Sequence, residues 1–197
     1  EEYRAIAKEL DGVEGISALE ANISCPNVKA GGMLFGSDPK ATYEVVSEVR
    51  KNTTLPLMVK LSPNVTDIRV IARAAVEAGA DIISLINTLL GMAIDVNTRR
   101  AVLSQSTGGL SGPAIKPVAL RMVWQVAHEV NVPIVGLGGI VTANDALEFL
   151  LAGATAIQVG TANFLDQTAS IKIIDDLEAY CRKNKISNIS SLIGALE

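Results

Sequence analysis

Short β-branched and apolar runs alternate with helical segments along this chain, and each helix gives way to a small-residue turn. No other feature constrains the fold as strongly, because that alternation is the mark of βαβ units, which build a parallel sheet buried on both faces. It predicts strands over residues 17–24, 57–61, 81–86, 133–136 and 156–159 and helices over 38–51, 67–78, 115–129 and 143–151, with an amphipathic helix over 171–184. Ala78-Gly79-Ala80 before one strand recurs as Ala152-Gly153-Ala154 before another, so one helix-to-strand turn is used twice. Two architectures accommodate these units, a doubly wound open sheet and a TIM (β/α)8 barrel. A complete barrel takes roughly 250 residues, so on the barrel reading the chain holds the C-terminal five units, strands 4 to 8, with about three units missing. Residues 1–10 are then the helix that precedes the fourth strand.

Composition fits one well-buried domain over residues 1–197, with 49% hydrophobic and 19% charged residues. A net charge of −4 and the absence of Lys/Arg runs argue against nucleic acid. Charged or polar residues interrupt every apolar run well short of the roughly 20 residues that a membrane helix needs. The N-terminus shows no basic region followed by an apolar one, and Cys25 and Cys181 stand far apart. Free thiols and the cytoplasm are therefore the expectation.

Ligands of parallel α/β sheets bind at the carboxyl ends of the strands. Each predicted strand here ends in polar residues or glycines: Asn22-Ile23-Ser24-Cys25-Pro26-Asn27, Lys60-Leu61-Ser62-Pro63-Asn64, Asn87-Thr88, Gly136-Leu137-Gly138-Gly139 and Gly160-Thr161. A further cluster, Gly108 to Gly112, precedes the helix over 115–129. Successive backbone amides without a Cβ form a concave anion site, and helix N-termini add partial positive charge. Singly, each cluster competes with a plain tight turn; jointly they favour phosphate.

Lys60 closes an apolar strand that offers it no evident partner, so a ligand anion would satisfy it, whereas a lysine that snorkels outward is the bland alternative. Asn22, Asn27 and Asn87 carry donors and acceptors suited to a planar ring with alternating carbonyl and N–H edges, while Asn64 reads as a turn residue. Cys25 is held before a proline, and a thiol with an ordinary pKa of about 8.5 can take and return a proton. Cys181 reads as a packing residue. His128, the single histidine, reads as a helix C-terminal cation and excludes a histidine triad or a multi-histidine metal site. No carboxylate cluster at the strand ends suggests a metal.

Taken in order, the motifs at Asn22 to Asn27, Lys60 to Asn64, Asn87-Thr88, Gly109-Leu110-Ser111-Gly112-Pro113 and Gly136 to Gly139 resemble those of class 1 dihydroorotate dehydrogenases, over residues 21–192. Ile86 to Gly91 and Ser111 to Pro117 are most similar to the class 1B catalytic subunit. The resemblance implies FMN as cofactor, with Cys25 as the base that removes the C5 proton of dihydroorotate. It implies that Asn22, Asn27, Asn87 and Thr88 hold the pyrimidine. Asn22, Lys60 and the Ile86 backbone then contact the flavin, and Gly112, Gly138, Gly139, Gly160 and Thr161 hold its ribityl chain and phosphate. It further implies a partner subunit with FAD and a 2Fe–2S cluster, NAD+ as acceptor, and a homodimer or heterotetramer. The family's first three strands, with their substrate-binding lysine, have no counterpart here. Two other readings stay open: an FMN barrel oxidoreductase of the dihydropyrimidine dehydrogenase type, and a non-catalytic phosphate-binding subunit.

Overall fold

The computed structural model describes residues 1–24 and 32–197. Five strands form one parallel sheet: β1 (Leu19–Asn22), β2 (Leu57–Lys60), β3 (Ile82–Leu85), β8 (Ile134–Leu137) and β9 (Ala156–Gln158), in the order β1-β2-β3-β8-β9. That order never reverses, so the sheet has no switch point of the doubly wound kind. The helices form a single layer. α1 (Glu2–Leu10) packs on α3 (Pro39–Arg50), α3 on α4 (Ile68–Glu77), α4 on α5 (Lys116–Ala127), α5 on α6 (Ala143–Leu151), and α6 on α8 (Ala169–Lys183). A parallel sheet in sequential order with helices on one side is an arc of a (β/α)8 barrel.

The strand periodicity of two sorts side chains between the two faces. Ala21, Ile23, Leu57, Val59, Leu61, Ile83, Leu85 and Ile134 are buried against the helices and join one core with Ile71, Val123, Val126 and Phe149. The other face carries Glu20, Asn22, Met58, Lys60, Ser84 and Gln158, the polar side chains among them gathered toward the strand carboxyl ends. Helix starts agree with local chemistry: Asp38 accepts from Ala41 N at 2.8 Å with Pro39 at the first turn, and Thr142 and Asp145 form a reciprocal capping box. Opposite the polar end, ties fasten the arc. Arg50 donates to Asp81, which also accepts from Leu57 N at 2.8 Å, and Asp11 accepts from Thr53 and Thr54.

Between β3 and α5 the chain makes an antiparallel excursion: β4 (Leu89–Met92) pairs with β7 (Thr107–Leu110), and β5 (Ile94–Asp95) with β6 (Arg100–Ala101). Nothing in the sequence reading anticipated it. Gly91, Gly108 and Gly109 are poor strand formers, and what makes the ladder is pairing across the excursion. This corrects one expectation, because Gly108 and Gly109 are strand residues of β7 rather than part of an anion-binding turn. Gly136 lies within β8 against Phe149, and also faces away from the polar end. Short helices α2 (Gly32–Ser37) and α7 (Ala162–Leu165) are likewise additions. Cys181 is half-buried rather than a core residue, since α8 fully buries only Ala169 and Ile173. His128 caps the end of α5, its Nδ1 paired with Trp124 O at 2.8 Å.

Candidate active site

Parallel pairing places Asn22 beside Lys60 and Lys60 beside Ser84, so one row of the polar face carries an amide, an ammonium and a hydroxyl. Just beyond β3, Ile86 continues the strand direction, donating its amide to Leu137 O at 2.9 Å, and delivers Asn87 to the same end of the sheet. There a small polar network forms. Asn87 Nδ2 donates to Asn22 Oδ1 at 3.1 Å and to Ser24 Oγ at 2.9 Å, Ser24 Oγ donates to Asn22 Oδ1 at 3.1 Å, and Thr88 N donates to Asn87 Oδ1 at 2.7 Å. Tyr3 of α1 adds a hydroxyl bond to Asn22 O at 2.6 Å. Buried polar groups are costly when unpaired, and this mutual satisfaction ties Asn22 and Ser24 to Asn87, more than 60 residues away.

Beside the network lies a cavity of about 280 Å³. Lys60, Ile86, Asn87 and Thr88 form one wall, Ser111, Gly112, Gly138 and Gly139 another, and Gln158, Gly160, Thr161 and Phe164 a third. Lys60 has no hydrogen-bond or ion-pair partner among the described residues. Gly138 and Gly139 both have positive φ, 130° and 77°. A Cβ on Gly138 would lie 2.7 Å from the Ala119 Cβ, and one on Gly139 would lie 2.8 Å from the Gly112 carbonyl oxygen, so only glycine makes this turn. Thr161 Oγ1 donates to Ser111 Oγ at 2.9 Å, tying the loops on either side of the cavity mouth.

Of the residues singled out from the sequence, Lys60, Ile86, Asn87, Thr88, Gly112, Gly138, Gly139, Gly160 and Thr161 line this one cavity. Asn22 reaches it through Asn87. Cys25 and Asn27 lie outside the described residues. Asn64 proves to be more than a turn residue: its Nδ2 donates to Thr88 O at 3.0 Å and its Oδ1 accepts from Leu90 N at 2.9 Å, pinning the segment that carries Thr88. Ser24, Ser111 and Gln158 are cavity or network residues that the sequence reading passed over. Gln158 ends β9, and a search of every strand end for polar side chains would have found it. Ser111 carries no local signal, because its partner is 50 residues away, and Ser24 joins the network only when Asn87, 63 residues on, is brought beside it and Asn22.

Behind the Gly138-Gly139 turn, Lys116 of α5 donates to Asp145 at 2.6 Å and to Glu148 at 3.0 Å, both on α6. Burial alone would raise the Asp145 carboxyl, but the Lys116 ammonium, the amides of Val141 and Thr142 and the Thr142 hydroxyl together bring it down to about 2. The hydrogen bond to Asp145, then that to Glu148, raises Lys116. This cation is therefore committed to its carboxylates, and among the described residues Lys60 is left as the unpaired positive charge lining the cavity. Among the described residues there is no metal-binding cluster, and no helix is long and apolar enough to cross a membrane.

Comparison with known proteins identifies the family. A family model described as dihydroorotate dehydrogenase matches residues 1–181. The chain is 62% identical over 197 residues to the dihydroorotate dehydrogenase B (NAD(+)) catalytic subunit of Citrifermentans bemidjiense, covering 100% of this chain and 65% of that protein. It is 63% identical over 196 residues to the protein of the same name from Geotalea uraniireducens, covering 64% of that protein. It thus spans just under two thirds of the length of these relatives. Among solved structures, dihydroorotate dehydrogenase of Eimeria tenella in complex with ferulenol superposes with a TM-score of 0.79 at 25% identity, over 98% of this chain and 57% of that one. By its matched length, its ordered motifs and its barrel arc, the chain belongs to the dihydroorotate dehydrogenase family.

Proposed function

We propose that residues 1–197 are the C-terminal part of a single FMN-binding barrel domain that oxidises dihydroorotate to orotate in pyrimidine biosynthesis. One observation carries the reading: Lys60, Asn87, Thr88 and the Gly138-Gly139 turn converge on a single cavity at the strand carboxyl ends. The cavity wall suits FMN on its own chemistry. A turn that a Cβ would block leaves backbone amides open to an anion, the Ser111 and Thr161 hydroxyls flank it, and Lys60 supplies an unneutralised cation.

On this reading Asn22, Lys60 and the Ile86 backbone hold the flavin ring, while Gly112, Gly138, Gly139, Gly160 and Thr161 hold the ribityl chain and phosphate. FMN, when bound, supplies the acceptor for the hydride that leaves C6 of dihydroorotate. Cys25 takes the C5 proton on its Sγ, a task for which a thiol with an ordinary pKa near 8.5 is better suited than a serine hydroxyl. Asn22, Asn27, Asn87 and Thr88 hold the pyrimidine, and a ring with the wrong edge leaves buried amides unpaired, which is the basis of discrimination. Lys60 keeps a fixed positive charge where negative charge accumulates.

The names of the relatives specify NAD(+) and a catalytic subunit. We extend both to this protein: it works in the cytoplasm, as a homodimer or heterotetramer, and passes electrons to a partner subunit that carries FAD and a 2Fe–2S cluster. A full-length subunit containing this chain is expected to carry flavin absorbance that dihydroorotate bleaches and dihydrouracil does not; bleaching by dihydrouracil instead would favour a dihydropyrimidine dehydrogenase-type enzyme. Cys25→Ser should keep FMN bound yet slow flavin reduction near neutral pH by about 100-fold or more in stopped-flow absorbance. Unchanged reduction kinetics would remove Cys25 from the mechanism.

A further inference from the structure

The polar face of the sheet holds a hydrogen bond that the mechanism above does not use. Ser84, fully buried on β3, donates its hydroxyl to Glu20 Oε1 of β1 at 2.6 Å. These strands are not neighbours, because β2 runs between them. Glu20 is level with Met58, and Ser84 is level with Lys60. Strands lie about 4.8 Å apart, so the two side chains meet above β2, in the space between Met58 and Lys60. An acidic side chain is thus tethered near Lys60, the one cation that lines the cavity among the described residues, yet no ion pair joins the two. Ser84 holds the carboxylate, and Lys60 lines the cavity with no hydrogen-bond or ion-pair partner among the described residues.

We propose that Glu20, anchored by Ser84, is a positioning residue that sets how much of the Lys60 charge the bound cofactor feels. This rests on the reading of the cavity as an FMN site. Opposite charges a few ångströms apart partly cancel at a third point, so a nearby carboxylate lowers the effective charge of Lys60 without drawing the ammonium away. Two substitutions should therefore act in opposite directions. Glu20→Gln keeps the length and the acceptor for Ser84 but removes the negative charge, leaving Lys60 unopposed and favouring the anionic reduced flavin. Ser84→Ala frees the carboxylate to pair with Lys60 and pull the ammonium back, which disfavours reduced flavin.

The experiment is a redox titration of flavin absorbance in the full-length FMN-loaded subunit, with far-UV circular dichroism as the check on folding. Glu20→Gln should raise the ratio of reduced to oxidised FMN affinity by about tenfold, or about 30 mV upward for a two-electron couple, and Ser84→Ala should move it downward. The double variant should follow Glu20→Gln, because Ser84 acts only through the carboxylate. Equal potentials in all folded variants, or shifts of the same sign in both single variants, would overturn the proposal while leaving the FMN reading intact. If Glu20→Gln fails to fold, Ser84→Ala decides alone: a lowered potential supports the proposal, and an unchanged one overturns it. A wild-type subunit without flavin would instead overturn the FMN reading, and this inference with it.

Discussion

Asn87 shows how a polar residue at a strand end becomes part of a site. Its amide nitrogen bridges Asn22 and Ser24 while its oxygen receives the Thr88 backbone, so one side chain orients three others. Thr88 is fixed from the opposite side by β7, where a Cβ on Gly109 would collide with the Thr88 hydroxyl oxygen. Gly109→Ala should therefore displace Thr88. With Thr88 proposed as a substrate contact worth about 1 kcal/mol, we expect KM for dihydroorotate to rise about fivefold while flavin content is unchanged. A parallel loss of FMN would mean that Gly109 supports the flavin and not the substrate. Asparagines and the lysine were legible in sequence because such side chains are conspicuous at the ends of apolar runs. Ser24 and Asn64 were not, because a serine or a turn-forming asparagine acquires its role from partners that only the fold brings near.

At the scale of elements, α6 is held at its start by the Thr142–Asp145 capping box and by the bond from Lys116 of α5 to Asp145. The ion pair needs Asp145 ionised, and so does the full strength of the bonds its carboxylate accepts from Val141, Thr142 and Lys116. Its carboxyl is held at about 2, below the ordinary carboxylate value, so its contribution is complete above roughly pH 4 and is lost as pH falls from there toward 2. Asp145→Asn should destabilise the protein by about 1–2 kcal/mol near neutral pH, from cap and ion pair together. It should also flatten the acid limb of stability between pH 4 and 2, measured by denaturant unfolding across that range. An undiminished acid limb would assign the pH dependence to other carboxylates such as Asp67, whose bonds from the Arg69 side chain and then its backbone hold it at about 2. The five principal strands and their helices were legible because period-two and 3.6-residue patterns are local. The β4–β7 excursion was not, because its ladder depends on cross-strand partners and its glycines carry no strand preference.

For the whole molecule, β1 and β9 are the outer strands of the described sheet, each with one row of backbone donors and acceptors that has no strand beside it. Phe164 and Leu165 of α7, next to β9, are 92% and 81% exposed. Open edges and exposed apolar side chains drive self-association. Expressed as these 197 residues, the protein should therefore scatter light in a concentration-dependent way, whereas the full-length subunit should not. A monodisperse, cooperatively folding 197-residue monomer would show that the edges are covered by other means. The alternation of strand and helix by itself determined a parallel α/β sheet with its ligand site at the strand carboxyl ends, since burial on both faces and right-handed crossovers leave few other arrangements. Between an open doubly wound sheet and a barrel arc it could not choose. Tertiary structure decided that by putting the strands in unbroken order and the six longer helices in one layer, and it alone revealed the Ser84–Glu20 bond across β2, because which side chains share a face depends on register and not on distance along the chain.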